Sequence, residues 1–209
     1  MKVIVFGATG TVGKQFVREA LNGGCQVTAF ARTPEKLEIE HQKLSIYRGD
    51  ALDAAAVADA VRGHDAVVVT LGASASWKSK IRSEGTRNVI DAMKRYGVQR
   101  LVCQSTIGAH ESWGNLNLFW KWIMFGALLR AALKDHEKQE DLVRASGLNW
   151  TLVRPSAFTD GPAEGKYKVG FGPGERRLSL KIPSADIAGF LERQLTDTRF
   201  VRCAVGISC

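Results

Sequence analysis

Few features of the sequence mark a specialised protein class. Its four cysteines, Cys25, Cys103, Cys203 and Cys209, show no CxxC pair or other metal-ligand spacing, so we expect no metal site. Cys25 and Cys103 fall in or beside apolar, strand-like stretches, where a free cysteine acts as a small core residue. Unpaired thiols of this kind favour a reducing compartment.

Basic runs and long uncharged apolar runs are also absent. The most apolar stretch, residues 111–133, is interrupted by Asn117, Lys121 and Arg130, so it does not predict a membrane-spanning helix. Lysine and arginine total 29 against 21 acidic residues, but they are scattered and form no recognisable nucleic-acid module. We therefore expect no nucleic-acid partner and no stable membrane insertion. The net charge of +8 is assigned to attraction of anionic cofactors and substrates.

The length of 209 residues allows one domain with a substantial core, and no linker, repeat or low-complexity run divides the chain. We predict a single domain over residues 1–209, acting as a monomer. The first apolar stretch begins directly after Lys2, so no signal peptide is expected before it. Together with the cysteines, this predicts a cytoplasmic protein.

The first thirteen residues carry the strongest local signal. Residues 3–6 are apolar and mostly β-branched, as in a buried parallel strand, and residues 11–21 have apolar side chains at helical spacing. Between and at the start of these stretches lie Gly7, Gly10 and Gly13. Such glycines allow a tight turn, a close approach to pyrophosphate and close helix packing. They predict a dinucleotide site at the helix N-terminus.

The end of the second predicted strand, residues 26–30, indicates which dinucleotide is bound. In the NAD-binding version of this arrangement an acidic residue stands there and binds the ribose 2′-hydroxyl. Here the place is taken by Arg32, with Lys36 one turn further on. A guanidinium group suits a 2′-phosphate, so the sequence predicts NADP(H). A solvated surface arginine is the alternative.

Strand-like and helix-like segments then alternate along the chain, which predicts an α/β fold. We expect a Rossmann-like, doubly wound parallel sheet with a small C-terminal elaboration. In that elaboration, residues 167–169 and 177–179 are predicted as short strands, and residues 185–194 as a helix capped by Ser184. Residues 200–205 are predicted as the final strand. The other predicted strands are residues 44–47, 66–70, 101–104 and 150–154; the other predicted helices are residues 54–61, 83–96 and 134–146.

Polar residues and glycines follow the predicted strands at the edge where ligands bind in such folds. Asp50 is placed to accept from the adenine amine, or else to cap the helix that begins near Asp53. Gly72 lets the backbone run close to the cofactor. Ser105 falls where the nicotinamide should lie, and its hydroxyl could bond the carboxamide or polarise a substrate. A bond to the local backbone is the alternative for Ser105.

Residues 111–133 are unusually rich in aromatic side chains, including Trp113 and Trp120. A buried helix, a lid over the active site and an interfacial membrane helix all fit this pattern. As a lid, Trp113 would cover a planar acceptor.

Several motifs occur together in a characteristic order: GATGTVG at residues 7–13, ARTPEKL at residues 31–37, SEGTRN at residues 83–88 and SGLNWT at residues 146–151. The chain resembles the atypical short-chain dehydrogenase/reductases of the NAD(P)H-binding (NmrA-like) family. Within that family it is most similar to the biliverdin reductase B / flavin reductase group. The resemblance implies a reductase that passes hydride from NADPH to a flavin or another planar conjugated acceptor, such as a bilin or quinone.

The resemblance also implies roles for individual residues, carried over by position. Pyrophosphate, adenine and ribose would lie along the glycine turn and the following strand ends, Ser105 would be the catalytic residue, and the acceptor would contact Trp113, Ser156 and Phe158. The implied cofactor-binding residues are Gly7, Thr9, Gly10, Thr11, Val12, Gly13, Arg32, Asp50, Ala51, Leu71, Gly72, Ala73 and Pro155.

Two departures from the family pattern bear on the chemistry. The Tyr-x-x-x-Lys pair of the wider superfamily is absent, and Ser156 stands where biliverdin reductase B-like proteins carry a histidine. Flavin reduction is therefore favoured over bilin reduction, with Ser105, water or His110 left as proton donor. A non-catalytic NADP(H)-binding sensor or assembly protein of the same fold is the alternative function.

Overall fold

The chain folds around an eight-stranded, mostly parallel sheet in the order β3-β2-β1-β4-β5-β6-β10-β8. This computed structural model describes residues 1–72 and 80–209, so the predicted cofactor residue Ala73 lies outside the described residues. Only β8 runs antiparallel to its neighbour among the described strands of this sheet. The main strands are β1 (Lys2–Phe6), β2 (Gln26–Ala31), β3 (Leu44–Arg48), β4 (Ala66–Val69), β5 (Arg100–Gln104) and β6 (Asn149–Pro155).

Helices cover both faces of the sheet, which confirms the predicted doubly wound α/β fold. One face is packed by α1 (Thr11–Asn22) and α5 (Ser184–Arg193), the other by α2 (Ala54–Val61), α3 (Ile81–Tyr96) and α4 (Arg130–Arg144). The central strands are apolar throughout because both of their faces are buried. Each face therefore has its own hydrophobic cluster, and the loops at the carboxyl ends of the strands stay free for a ligand.

The C-terminal elaboration differs from its prediction in several boundaries. It contains β7 (Ala157–Thr159), β8 (Lys168–Val169), β9 (Lys181–Pro183) and β10 (Cys203–Ser208). Residues 177–179 form no strand, and the last strand begins at Cys203 because it pairs in parallel with β6, Cys203 opposite Thr151. Pro183, and not Ser184, holds the N-cap position of α5, without a side-chain cap. A glycine-rich tail has no hydrophobic periodicity from which these positions could be read.

The aromatic segment is not a regular buried α-helix, and its interpretations as a lid or as a membrane-surface segment stay predictions. A short 3₁₀ turn (His110–Asn115) is followed by a π-helix (Phe119–Leu128). The Leu129 N–H donates to the Met124 carbonyl at 2.6 Å, a five-residue spacing that typifies a π-helix. Phe125 is buried, whereas Trp122 is 72% exposed. The segment is therefore neither a core helix nor a solvated loop. No helix among the described residues is long and apolar enough to cross a bilayer.

Candidate functional site

A cavity of about 810 Å³ runs along the carboxyl ends of the strands. At one end it meets the glycine turn after β1, and at the other the π-helix and β7. Most of the predicted cofactor and substrate positions contribute to its walls. They are Gly7, Thr9, Gly10, Thr11, Val12, Arg32, Asp50, Ala51, Leu71, Gly72, Ser105, Pro155, Ser156 and Phe158.

The glycine turn lines one end of the cavity, and a larger residue would not fit at two of its positions. Gly7 has φ +93°, and a Cβ on it would lie 2.5 Å from the Thr70 carbonyl oxygen. A Cβ on Gly13 would overlap the Gly7 carbonyl and approach Thr70 Oγ1 to 2.9 Å. Gly13 does not line the cavity; it lets α1 pack against β1 and β4. The N-terminus of α1 has no side-chain cap, so its first N–H groups are available to a pyrophosphate.

Two exposed cations lie beside this turn, where the sequence predicts 2′-phosphate binding. Arg32 and Lys36 both line the cavity. Neither side chain has an ionic partner among the described residues, whereas nearby Arg48 is paired with Glu35. The site therefore offers two uncompensated positive charges to an anion.

The loop after β3 lines the end of the cavity where the sequence predicts the adenine. Asp53 caps α2 by accepting from the Ala55 and Ala56 N–H groups at 2.9 and 3.1 Å. Asp50 is not the cap; its Oδ1 accepts from the Leu52 N–H at 3.0 Å. The Asn88 side chain donates to the Ala51 carbonyl at 2.9 Å. Asn88, which the sequence analysis gave no role, thus fixes the backbone at this end of the cavity.

Ser105 lies at the predicted nicotinamide end, and its hydroxyl bonds a side chain, not the local backbone. The hydroxyl donates to Glu140 Oε1 at 2.6 Å, and Glu140 is fully buried. Arg154 donates to both oxygens of the same carboxylate, at 2.8 and 2.5 Å. The Ser105 proton is therefore committed to Glu140, and the oxygen remains free to accept from a ligand.

Arg154 is a shared cation in a wider ionic network. It donates to Glu111 at 2.8 and 3.2 Å, and Arg144 donates to Glu111 at 3.3 Å. Partial burial tends to raise the pKa of Glu111. The hydrogen bonds from Arg154 and from its own backbone, with the charges of Arg154 and Arg144, lower that pKa to about 2. Glu111 therefore stays ionised at physiological pH, and the network fixes the end of β6 to α4.

The acceptor end of the cavity has mainly apolar walls. Trp120, Phe125 and Leu129 contribute from the π-helix and the residue after it, and Phe158 contributes from β7. Trp113, predicted to cover the acceptor, lies in the 3₁₀ turn outside the cavity lining. The segment follows β5 as expected, but its π-helical part, and not the turn before it, forms the wall.

Three of the four buried side-chain polar atoms that lack a hydrogen-bond partner in the described part of the chain belong to residues lining this cavity. They are Arg82 Nε, Gln104 Oε1 and Ser156 Oγ. Buried polar groups in folded proteins are otherwise almost always paired. Because their residues line the cavity, these atoms are candidates to bond a ligand. Sequence reasoning had singled out only Ser156 of the three.

The SEGTRN motif at residues 83–88 connects α3 to its neighbours. The Ser83 hydroxyl donates to Asp135 at 2.5 Å, and the Gln139 side chain donates to the Thr86 hydroxyl at 2.9 Å. Both partners lie on α4. His110, left open as a proton donor, faces Asp141 at 3.2 Å and does not line the cavity. Within residues 1–72 and 80–209, no cluster of His, Cys, Asp and Glu could hold a metal ion.

Replacing Glu140 by glutamine tests whether this carboxylate organises the nicotinamide end. The Glu140→Gln variant leaves buried Arg154 with Glu111 alone. We expect a loss of about 3 kcal/mol in unfolding free energy, the lower end of the range for removing one partner of a buried pair. Urea unfolding measures it. The control is Glu84→Gln, whose 4.0 Å pair with Lys80 is exposed, with an expected change within about 0.5 kcal/mol. Equal stability of Glu140→Gln and Glu84→Gln would contradict the assignment.

Comparisons with known proteins agree with this geometry. A chloroplastic protein of Arabidopsis thaliana, described as uncharacterized, is 32% identical over 176 residues; the match covers 78% of this chain and 61% of that protein. A short-chain dehydrogenase/reductase from Veillonella parvula, solved with NADP, superposes with TM-score 0.84 at 18% identity, over 100% of this chain and 94% of that one. ChuY, an anaerobilin reductase from Escherichia coli O157:H7, gives 0.81 at 23% identity, over 100% and 97%.

The two solved structures have the same fold as this chain. The model of the NAD(P)H-binding family matches residues 7–198 and so includes the glycine turn, the nicotinamide end and most of the C-terminal elaboration. The glycine turn and the uncapped helix N-terminus fit the cofactor of that family. The chain belongs to the NAD(P)H-binding family of oxidoreductase-like Rossmann-fold proteins.

Proposed function

We propose that the protein is an NADPH-dependent reductase that passes hydride to a planar conjugated acceptor, such as a flavin or, less favoured, a bilin or quinone. The observation that carries the proposal is one continuous cavity, which extends from the glycine turn to an apolar end. Three residues that line it have buried polar atoms without a hydrogen-bond partner in the described part of the chain. NADPH supplies the hydride when bound. The protein supplies orientation and exclusion of water.

The choice of a conjugated acceptor rests on the polar groups of the cavity. The described lining contains no tyrosine; Tyr47, Tyr96 and Tyr167 all lie elsewhere. The Ser105 hydroxyl donates its hydrogen bond to Glu140, so it is a poor proton source for an acceptor. An isolated ketone needs a strong proton donor at its oxygen, whereas a conjugated ring spreads the incoming charge. The site therefore suits acceptors that need little proton assistance.

Each remaining polar group has a positioning role in this proposal. The Ser105 oxygen and Gln104 Oε1 both accept hydrogen bonds, which suits the amide N–H groups of the nicotinamide. The Ser156 hydroxyl faces the acceptor. Arg32 and Lys36 bind the 2′-phosphate. The proposed enzyme acts on small molecules, as a monomer in the cytoplasm.

Cofactor preference is the first test. NADPH should bind more tightly than NADH by about 1.5–3 kcal/mol, the value of a charge-assisted bond, or about 10- to 150-fold in dissociation constant. Arg32→Ala should remove most of this preference. Fluorescence titration of both cofactors measures it. The control is Arg62→Ala, an exposed arginine paired with Asp59 outside the cavity. Equal dissociation constants for the two cofactors in the unmodified protein would refute the assignment.

Turnover is the second test. FMN, FAD, riboflavin, bilins and quinones are screened by the fall in NADPH absorbance. Ser105→Ala should keep NADPH binding and slow acceptor reduction by at most ~10²-fold, because Ser105 positions and does not protonate. Ser208→Ala, a buried serine outside the cavity, is the matched control. NADPH binding without turnover of any acceptor would instead favour the sensor function.

A further inference from the structure

Arg82 is the least compensated charge in the acceptor half of the cavity. It lies in the first turn of α3, lines the cavity, and its side chain is 13% exposed. Its Nε atom is buried without a hydrogen-bond partner among the described residues. A guanidinium group has five N–H donors and stays charged in proteins. A buried N–H without a hydrogen-bond acceptor therefore raises the free energy of the folded protein.

The counter-charge nearest to Arg82 is already engaged. Asp135 lies 3.9 Å from Arg82 Nη1, a loose ion pair. Its carboxylate accepts from the backbone N–H groups of Arg82 and Ser83, at 3.1 and 3.2 Å, and from the Ser83 hydroxyl at 2.5 Å. Asp135 therefore acts as the cap of α3. Burial lowers the pKa of Arg82, and the charge of Asp135 only opposes this effect.

His136 lines the cavity beside Arg82 and adds no charge. Desolvation, followed by the positive charge of Arg82, lowers the pKa of His136 to about 3, against a weaker opposing hydrogen bond with Gln139. The ring is therefore neutral at physiological pH. Trp120, Phe125 and Leu129 complete the wall. A positive charge that is only loosely paired and largely buried attracts an anion more strongly than the same charge in water.

We propose that Arg82 binds an acidic group of the acceptor, so that the site prefers planar conjugated molecules carrying a carboxylate or phosphate. The inference rests on the proposed reductase function and names its substrate class. The oxyanion would accept from the guanidinium group, including Nε, while the ring system lies against the apolar wall. A charge-assisted bond of this kind contributes about 10- to 150-fold in affinity.

The test compares acidic acceptors with uncharged partners of the same ring system: biliverdin with its dimethyl ester, and FMN with riboflavin. Affinity is measured by tryptophan fluorescence with NADP⁺ present, and turnover by NADPH absorbance. Arg82→Met should weaken binding of the acidic acceptor by about tenfold or more in at least one pair. Binding of the uncharged partner in that pair should not change. Arg82→Lys should restore part of the loss. Arg62→Met is the control.

The two pairs separate a carboxylate from a phosphate as the group recognised. Equal affinity of wild-type protein for acid and uncharged partner in both pairs overturns the inference, as does an Arg82→Met effect on NADPH binding alone. Preferential binding of an acid without any turnover would support the anion site at Arg82 and refute the proposed reductase function.

A second, independent observation concerns the outer side of the π-helix. Five large apolar side chains there, which we call the outer face, are 50–75% exposed: Leu118, Phe119, Trp122, Ile123 and Leu128. Monomeric soluble proteins rarely expose such a contiguous group without a partner. The other side of the same helix lines the acceptor end of the cavity.

The stretch of chain that carries the outer face has charges of one sign. Residues 112–134 contain no acidic residue and three basic ones, Lys121, Arg130 and Lys134. Glu111, directly before this stretch, is bound by Arg154 and Arg144. Aromatic and aliphatic side chains flanked only by cations are typical of segments that lie in the headgroup region of anionic membranes.

We infer that the outer face binds the surface of an anionic lipid bilayer, without crossing it. The charge complementarity argues for lipid over a second copy of this chain, whose corresponding face would be equally basic. In this orientation the acceptor end of the cavity lies next to the membrane.

Vesicle flotation tests the inference with phosphatidylcholine alone and with added phosphatidylglycerol, at low and high salt. Binding is expected only with phosphatidylglycerol, weaker at high salt. Trp122→Glu combined with Ile123→Glu should abolish it, and Ile46→Glu, equally exposed on β3, should not. No binding, or equal binding to both vesicles, overturns it. The inference is also overturned if light scattering shows a dimer of the wild-type protein and a monomer of the double variant.

Discussion

The close approach of α1 to the strand ends is the constraint on which the site depends. Gly7 and Gly13 meet the Thr70 backbone and side chain at distances that leave no space for a Cβ. Only this approach directs the free N–H groups of the helix into the cavity. The Thr70 hydroxyl also donates to the Phe6 and Gly7 carbonyls, at 3.2 and 3.3 Å, so β1, β4 and the turn form one unit.

The fourth helix performs the corresponding task at the other end of the cavity. Its buried polar side chains each bind a different part of the site: Asp135 the start of α3, Gln139 the middle of α3, and Glu140 the ends of β5 and β6. The buried face of the helix carries these three hydrogen-bonded polar side chains beside the apolar Leu133 and Val143. Such fully satisfied networks hold a site in one geometry.

Sequence reasoning brought the predicted cofactor positions to one cavity because their signals are local. The glycines, the strand ends and Arg32 occupy positions that the alternation of strands and helices fixes within a few residues. The other half of the cavity could be predicted only in part. Glu140 and Asp135 act through contacts distant in sequence, and no local pattern marks Gln104. Trp113 was chosen for closeness along the chain, whereas the π-helix brings Trp120 to the wall. The final strand was misplaced because pairing with β6, and not its own apolar pattern, determines where it begins.

The π-helix gives the acceptor wall an adjustable geometry. Its wider turn brings residues five apart, such as Trp120 and Phe125, to the same side, where an α-helix would separate them. Gly126 accommodates the turn, since a Cβ there would lie 2.9 Å from the Lys121 carbonyl oxygen. Loss of one residue from the segment would relax it to an α-helix and rotate one ring out of the wall. A single-residue insertion or deletion here would therefore change the shape of this wall without touching the glycine turn at the other end of the cavity.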